Sequence, residues 1–375
     1  MLYLSGLKPK AVEKARVTAG WTVMVGSNGN RTRIGNAALV REDTDFLFAS
    51  FLIGTKPLAD SGLRSDYFYR WLTTEQVQAY LSASSEGTTG LNNLSHSFFR
   101  AMSIPLPPPA EQAAIARILD AVDTALERTR EAVERAREVK RSLTQHLFSR
   151  GVRGEPLRKT VIGEIPQSWE IQPVSAVVTS FQYGLSLPMH AKGRLPILRM
   201  GDIQEGDVRL DDLKFVTLPD QIVAPYHLRR GDVLFNRTNS QEWVGKVGIY
   251  RHDSDAVFAS YLIRLFPDGT KVDGYYLGHV LNSYQAQCRI KRYATPGVQQ
   301  VNINATNLGK VLIPVPPGAD GMAEQREIAA ILEAAHAAVS SYKPVLDAQQ
   351  ALKKSLMHDL LTGRVRVNHT KVAAS

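Results

Sequence analysis

Apolar residues from position 115 onward fall at Ile115, Leu119, Val122, Leu126, Val133, Ala136, Leu143 and Leu147, following the heptad alternation of four and three. Arg117, Glu127, Arg128, Glu131, Glu134, Arg135 and Arg137 occupy the other faces, so the pattern predicts a long helix with one narrow apolar seam, as in a coiled coil. A second seam runs through Ile328, Leu332, Ala335, Val339, Leu346, Leu356 and Leu360. Pro107, Pro108 and Pro109 cannot continue a helix, which places the first start near Glu111, and Gly151 and Gly363 close the two helices. Pro344 lies inside the second and predicts a bend there. Ahead of each helix the pattern changes to short apolar runs separated by turn residues, as at 232–235 and 247–250, which reads as strands.

The two halves are copies. Phe48-Ala49-Ser50-Phe51-Leu52-Ile53 returns as Phe258-Ala259-Ser260-Tyr261-Leu262-Ile263, a shift of 210 residues that also pairs Gly35 with Gly245 and Arg41 with Arg251. Ile104-Pro105-Leu106-Pro107-Pro108 returns as Ile313-Pro314-Val315-Pro316-Pro317. Glu111-Gln112 returns as Glu324-Gln325, and Lys140-Arg141-Ser142-Leu143 as Lys353-Lys354-Ser355-Leu356, these two at a shift of 213. The division is a strand-rich domain at 1–106, a helix at 107–150, a linker at 151–162, a second strand-rich domain at 163–315, a helix at 316–363 and a tail at 364–375. Since the second helix can bury its seam only by running back along the first, the pair should be antiparallel. Each helix spans about 57 Å and separates the two domains as in a dumbbell. The fold class is therefore α+β. The register sets Met1 opposite Asp211, so the first copy has no counterpart of roughly 163–210. The first domain is expected to be truncated, with fewer strands, an unpaired sheet edge and lower stability than the second.

A net charge of +9 and a pI near 9.5 favour a polyanionic partner, although a solvated basic surface would give the same numbers. Cys288 is the single cysteine, which excludes an internal disulfide and a multi-cysteine zinc site and fits a reducing cytoplasm. No apolar run is long enough to span a bilayer. Two similar basic heads on a rigid spacer suit two short DNA segments a fixed distance apart. A protein-binding adaptor built on a coiled coil is the alternative. Within the second head Arg237, Asn239, Ser240, Gln241 and Lys246 form a polar loop able to reach base edges or phosphates. The run 295–302 adds Gln299, Gln300 and Asn302, whose amides can pair with adenine edges, while Arg289, Lys291 and Arg292 form a basic cluster suited to phosphates. Arg199, within the predicted strand at 197–200, joins the DNA-contact set. No phosphate loop, dinucleotide fingerprint or paired-histidine metal motif is found, and Glu138-Val139-Lys140 matches a nuclease spacing only in the middle of a helix. No catalytic or metal-binding residue is assigned.

The run 313–317 followed by Glu324-Gln325-Arg326-Glu327-Ile328-Ala329, the ending Leu356-Met357-His358-Asp359-Leu360-Leu361-Thr362-Gly363, and Ile162-Gly163-Glu164-Ile165-Pro166-Gln167-Ser168-Trp169 together resemble the specificity subunits of type I restriction-modification systems. The resemblance covers about Gly20 to Val367. It implies two target-recognition domains, each reading half of a bipartite double-stranded DNA sequence, and spacer helices that set the distance. It also implies two methyltransferase subunits bound to the helices and restriction-translocase subunits joined to them. S-adenosylmethionine, ATP and magnesium would then sit on those partners, leaving this subunit non-catalytic and without a cofactor of its own.

Overall fold

A computed structural model describes residues 8–85, 87, 90–297 and 300–367. The first strand-rich stretch comprises α1 (Pro9–Ala15), β1 (Thr22–Val25), β2 (Ser27–Asn28), β3 (Ala37–Leu39), β4 (Leu52–Thr55), α2 (Ser65–Leu72), α3 (Glu75–Ala83), β5 (Asn92–Asn93) and α4 (His96–Arg100). The helix α5 (Pro109–Arg150) follows without interruption for 42 residues. Next come β6 (Leu157–Thr160), β7 (Gly163–Pro166), β8 (Glu170–Pro173), α6 (Val174–Val177), β9 (Val178–Tyr183), β10 (Leu195–Leu198), β11 (Ile203–Gln204), β12 (Asp207–Val208), β13 (Lys214–Val216) and α7 (Asp220–Val223). The second stretch ends with β14 (Val233–Asn236), β15 (Thr238–Asn239), β16 (Val247–Ile249), β17 (Val257–Phe258), β18 (Leu262–Pro267), α8 (Gly274–Asn282), α9 (Tyr284–Lys291), β19 (Thr295–Pro296), β20 (Val301–Asn302), α10 (Ala305–Gly309) and β21 (Leu312–Val315). Two helices close the chain, α11 (Gly318–Ser340) and α12 (Tyr342–Leu361). The expected α+β class is what is observed. The stretch 151–162, read above as a linker, contains β6, which pairs with β7 as a hairpin.

Two compact units result, one of residues 1–132 and 342–375, the other of 133–341. Each unit therefore holds one strand-rich domain and one segment of each long helical region. In the first, Ile115 and Leu119 near the start of α5 share a core with Leu356, Met357, Leu360 and Leu361 near the end of α12. In the second, Leu143, Leu147 and Phe148 near the end of α5 share a core with Ile328 and Leu332 near the start of α11. Start meets end both times, so the helices run antiparallel within each unit. The predicted seam is buried at Ile115, Leu119, Leu126, Val133, Leu147, Ile328, Leu332 and Leu360, and half-buried at Val122, Leu143, Val339, Leu346 and Leu356. The bend expected at Pro344 is a break at Ser341, because the proline ring cannot donate to the carbonyl of Ser340 and crowds it.

The same strands form the centre of both domains. β1 pairs with β3 and β4 as β14 pairs with β16 and β18, antiparallel in every case, with the middle strand offset by one residue from the shift of 210 that relates its partners. In the second unit this trio widens to six strands, with β9 beside β18 and the β11–β12 turn beside β16. Among the described residues β4 has no such neighbour on its outer side, and the sheet of the first unit has three strands.

Duplicated polar side chains fix each domain to the start of its helix. The proline-rich entry leaves carbonyls ahead of each helix, and a glutamine, the fourth residue of α5 and the eighth of α11, answers them. The Gln112 amide donates to the carbonyls of Pro107 (2.7 Å) and Gly62 (2.9 Å) and accepts from the backbone of Arg64 (2.9 Å). Gln325 repeats this with Pro316 (2.9 Å), Lys271 (3.0 Å) and Asp273 (2.9 Å). The Tyr67 and Tyr276 hydroxyls donate to the carbonyls of Pro105 (3.0 Å) and Pro314 (2.9 Å). Beside them, the Glu111 carboxylate accepts from the backbone of Val367 (3.0 Å), and Glu324 from that of Val152 (3.1 Å). All six side chains are buried, so removing one leaves its partners unsatisfied. Gln325→Leu is expected to lower the stability of the second unit by about 1–3 kcal/mol per orphaned group. Urea unfolding followed by Trp169 fluorescence would read the loss, and an unchanged midpoint would remove the glutamine from this role.

Candidate nucleic-acid interface

β14 is fully buried, and its continuation past Asn236 emerges as the short strand β15. β15 pairs with β20, and β20 pairs with β19, all antiparallel. This small sheet joins two polar runs far apart in the chain, since Thr238 lies opposite Asn302 and Asn239 opposite Val301. The Asn302 side chain ties them further. Its amide donates to the Thr238 hydroxyl (3.0 Å) and its oxygen accepts from the Arg237 guanidinium (2.9 Å).

Arg237 is occupied on several sides. It also donates to the Ser260 carbonyl (3.3 Å), and its guanidinium lies over the Tyr183 ring at 5.0 Å. The Tyr183 hydroxyl in turn accepts from the backbone of Ala305 at the start of α10 (3.0 Å). Arg237 thus pins the ends of β9, β18 and β20 together. Its Nε is buried with no hydrogen-bond partner, one of a handful of such atoms among the described residues.

Lys246 follows the helical turn that leaves β15 and sits over the exposed Trp243 ring, 3.3 Å from its centroid. Burial moves this ammonium below its ordinary range, and Glu242 partly opposes that shift. Lys291 reaches the same turn, donating to the Glu242 carbonyl (3.2 Å). The half-buried Asn239 accepts from the backbone of Ser240 (2.8 Å). Gln300 is exposed at the turn before β20, and Gln299 lies outside the described residues. The structure therefore gathers Arg237, Asn239, Lys246, Lys291, Gln300 and Asn302 around one three-stranded ribbon. Three exposed aromatics at or beside it, Tyr183, Trp243 and Tyr261, carry no polar pattern in the sequence and were missed. Their cue was apolar residues interrupting a polar loop.

Two predicted contacts lie elsewhere. Arg289 points from α9 to the Leu312 carbonyl (3.0 Å), against β21, and burial lowers its pKa. Arg199 caps a helical turn by bonding to Asp202, which raises its pKa, and reaches the Asp212 carbonyl. Arg292 is exposed at the end of α9. None of the three joins the ribbon through a hydrogen bond found in the structure.

The first unit carries a smaller version. β2 pairs with β5, and the Ser27 hydroxyl bonds to Asn93 where Arg237 bonds to Asn302. Exposed Arg33 and Asn36 stand at the repeat positions of Trp243 and Lys246. The shift of 210 residues already encoded this correspondence.

Among the described residues no cluster of acidic, histidine or cysteine side chains could hold a metal ion, and no helix is long and apolar enough to cross a membrane. Residues 7–135 match the model of the type I restriction modification DNA specificity domain. The chain is 31% identical over 211 residues to a Methanocaldococcus jannaschii protein named as the MjaX type I restriction enzyme specificity subunit, covering 56% of this chain and 49% of that one. It thus spans about half the length of that relative. To the MjaVIII specificity subunit of the same organism it is 25% identical over 314 residues, covering 81% and 71%. Among solved structures it is similar in fold to the type I restriction-modification S subunit of M. genitalium, with a TM-score of 0.59, 16% identity, and coverage of 93% of this chain and 84% of that one.

Arg237→Ala should cost the second unit about 1–3 kcal/mol by freeing Asn302 and the Ser260 carbonyl. Faster amide exchange at 301–303 would accompany it, and unchanged exchange there would show that the ribbon stands without the arginine.

Proposed function

Because the chain belongs to the type I restriction-modification specificity family, we propose that it binds double-stranded DNA through the two ribbons and directs partner subunits to a bipartite target. The observation that carries this reading is the convergence of Asn239, Lys246, Lys291, Gln300 and Asn302 on one exposed ribbon flanked by aromatic rings. Amide side chains suit base edges, and ammonium groups suit phosphates. The partners in this reading are two methyltransferase subunits seated on the long helices and restriction-translocase subunits joined to them. They would carry S-adenosylmethionine, ATP and magnesium, and the chain would act as a non-catalytic guide in the cytoplasm.

The ribbons differ in chemistry. The second offers cations paired with aromatic rings, and the first offers Asn28, Arg33 and Asn36 on a shorter frame. The two half-sites are therefore read unequally.

The test is DNA binding by the assembled methyltransferase complex across a salt series. Replacing Lys246 and Lys291 together by alanine should weaken binding and flatten the slope of log affinity against log salt by about 2, one for each lost phosphate contact. Retention on DNA with an unchanged slope would remove these lysines from the interface. A wild-type complex that assembles yet shows no salt-dependent DNA binding would favour the adaptor reading.

A further inference from the structure

In the second unit the β11–β12 turn fills a groove between the end of α8 and the helices α5 and α11. Its two loop residues, Glu205 and Gly206, both have positive φ (54° and 87°), the geometry of a tight two-residue hairpin. Arg137 of α5 holds the Glu205 carboxylate (2.6 Å), and Lys140 reaches the Glu205 carbonyl (3.4 Å). His336 of α11 faces the Asp207 carboxylate (3.5 Å). Asn282, the last residue of α8, comes so close to Gly206 that a Cβ there would meet its amide nitrogen at 3.4 Å. Toward the end of α5, Gln145, Phe148 and Ser149 face the β6–β7 hairpin across a cavity of about 240 Å³.

The counterparts of these residues line an open groove in the first unit. The shift of 213 sets Gln350, Lys353 and Asp123 at the positions of Arg137, Lys140 and His336. The shift of 209 that relates Tyr67 to Tyr276 sets Thr73 at the position of Asn282. All four line one cavity of about 690 Å³ between the end of α2, the start of α3, α5 and α12. His358, Leu361 and Thr362, the counterparts of Gln145, Phe148 and Ser149, form one end of it. Among the described residues of the first unit, no strand turn stands where β11–β12 stands in the second.

The lining suits an acidic segment. Arg70, Arg130, Lys353 and Lys354 outnumber Glu75 and Asp123, the carboxylates on its wall. Lys354 pairs with Glu75 at 2.7 Å, but both side chains are largely exposed (70% and 74%), so a docked carboxylate exchanges with Glu75 at little cost. Arg130 is exposed as well (56%), 3.7 Å from Glu127. Trp71 and Leu126 are buried and Met357 half-buried, which gives an apolar floor to the strand side chains that flank a turn. We propose that this groove is a docking site for an acidic β-turn presented by a partner protein, in the manner in which the second unit seats its own Glu205-Gly206-Asp207. The second unit fills its groove from within, and the first takes the turn from outside.

Amide hydrogen exchange of the full chain, with and without a head-to-tail cyclised peptide carrying residues 203–208, tests this. The amides of 69–77 and 350–362 should gain protection as peptide is added, with 137–149 unchanged because a covalent turn already fills that groove. Glu205→Gln with Asp207→Asn in the peptide, or Arg130→Glu with Lys354→Glu in the chain, should weaken binding about tenfold. Both chain positions are exposed, so these substitutions leave the fold intact. No protection at about 1 mM peptide, or equal affinity for the neutral peptide, would overturn the proposal. So would binding that appears only once residues 368–375 are removed, or protection of 350–362 that rises with chain concentration alone, since the groove would then hold the chain's own tail or a second copy. Protection of the same amides by a DNA duplex and not by the peptide would contradict it equally.

Discussion

Two proline carbonyls just ahead of the long helices are answered by buried glutamine side chains, and much of this molecule is arranged around that contact. The carbonyls of Pro107 and Pro316 lie where the chain enters each long helix, and each needs a donor. Gln112 and Gln325 supply it, and the same two amides bind the backbone of the preceding domain. Each strand-rich domain is thereby held at a set position on its own helix start. The buried carboxylate beside each glutamine takes the backbone that leaves the other end of the antiparallel pair. One junction thus serves as helix cap, domain anchor and chain clasp, and the duplication uses it twice.

What grows from that anchor differs between copies. The central three strands coincide, and each places a polar ribbon just past the end of its middle strand. In the second unit added strands brace the ribbon, and Arg237 gathers their ends beneath it. In the first, a serine–asparagine bond does the corresponding work over a shorter span. The scaffold is shared and the surface chemistry is not, as expected where the fold provides position and loops provide discrimination.

Much of the architecture was legible because it depends on periodic burial. The heptad seam announced α5, and its repeat announced α11 and α12, with every predicted seam residue at least half-buried. The break at Ser341 followed from Pro344. Side-chain roles were harder. Arg237 reads in sequence as an exposed loop cation, yet long-range partners at Ser260 and Asn302 occupy it, and nothing local encodes them. Arg289 and Lys291 are two residues apart on α9 and so point to different faces, one toward β21 and one toward the ribbon. Glu111 and Gln112 stood out only as repeated letters, and their meaning required the proline carbonyls they meet.

The central proposal is that each copy of the duplicated scaffold presents its ribbon to one segment of a bipartite DNA target. Sequencing that reads methylated adenine in a host carrying this chain and the proposed partner methyltransferase tests it most directly. The account predicts methylation within a motif of two short specified segments separated by a spacer of constant length. Exchanging Asn302 and Gln300 should alter the preference in one segment and leave the other intact. Methylation at a single continuous motif, or a pattern indifferent to both residues, would contradict it.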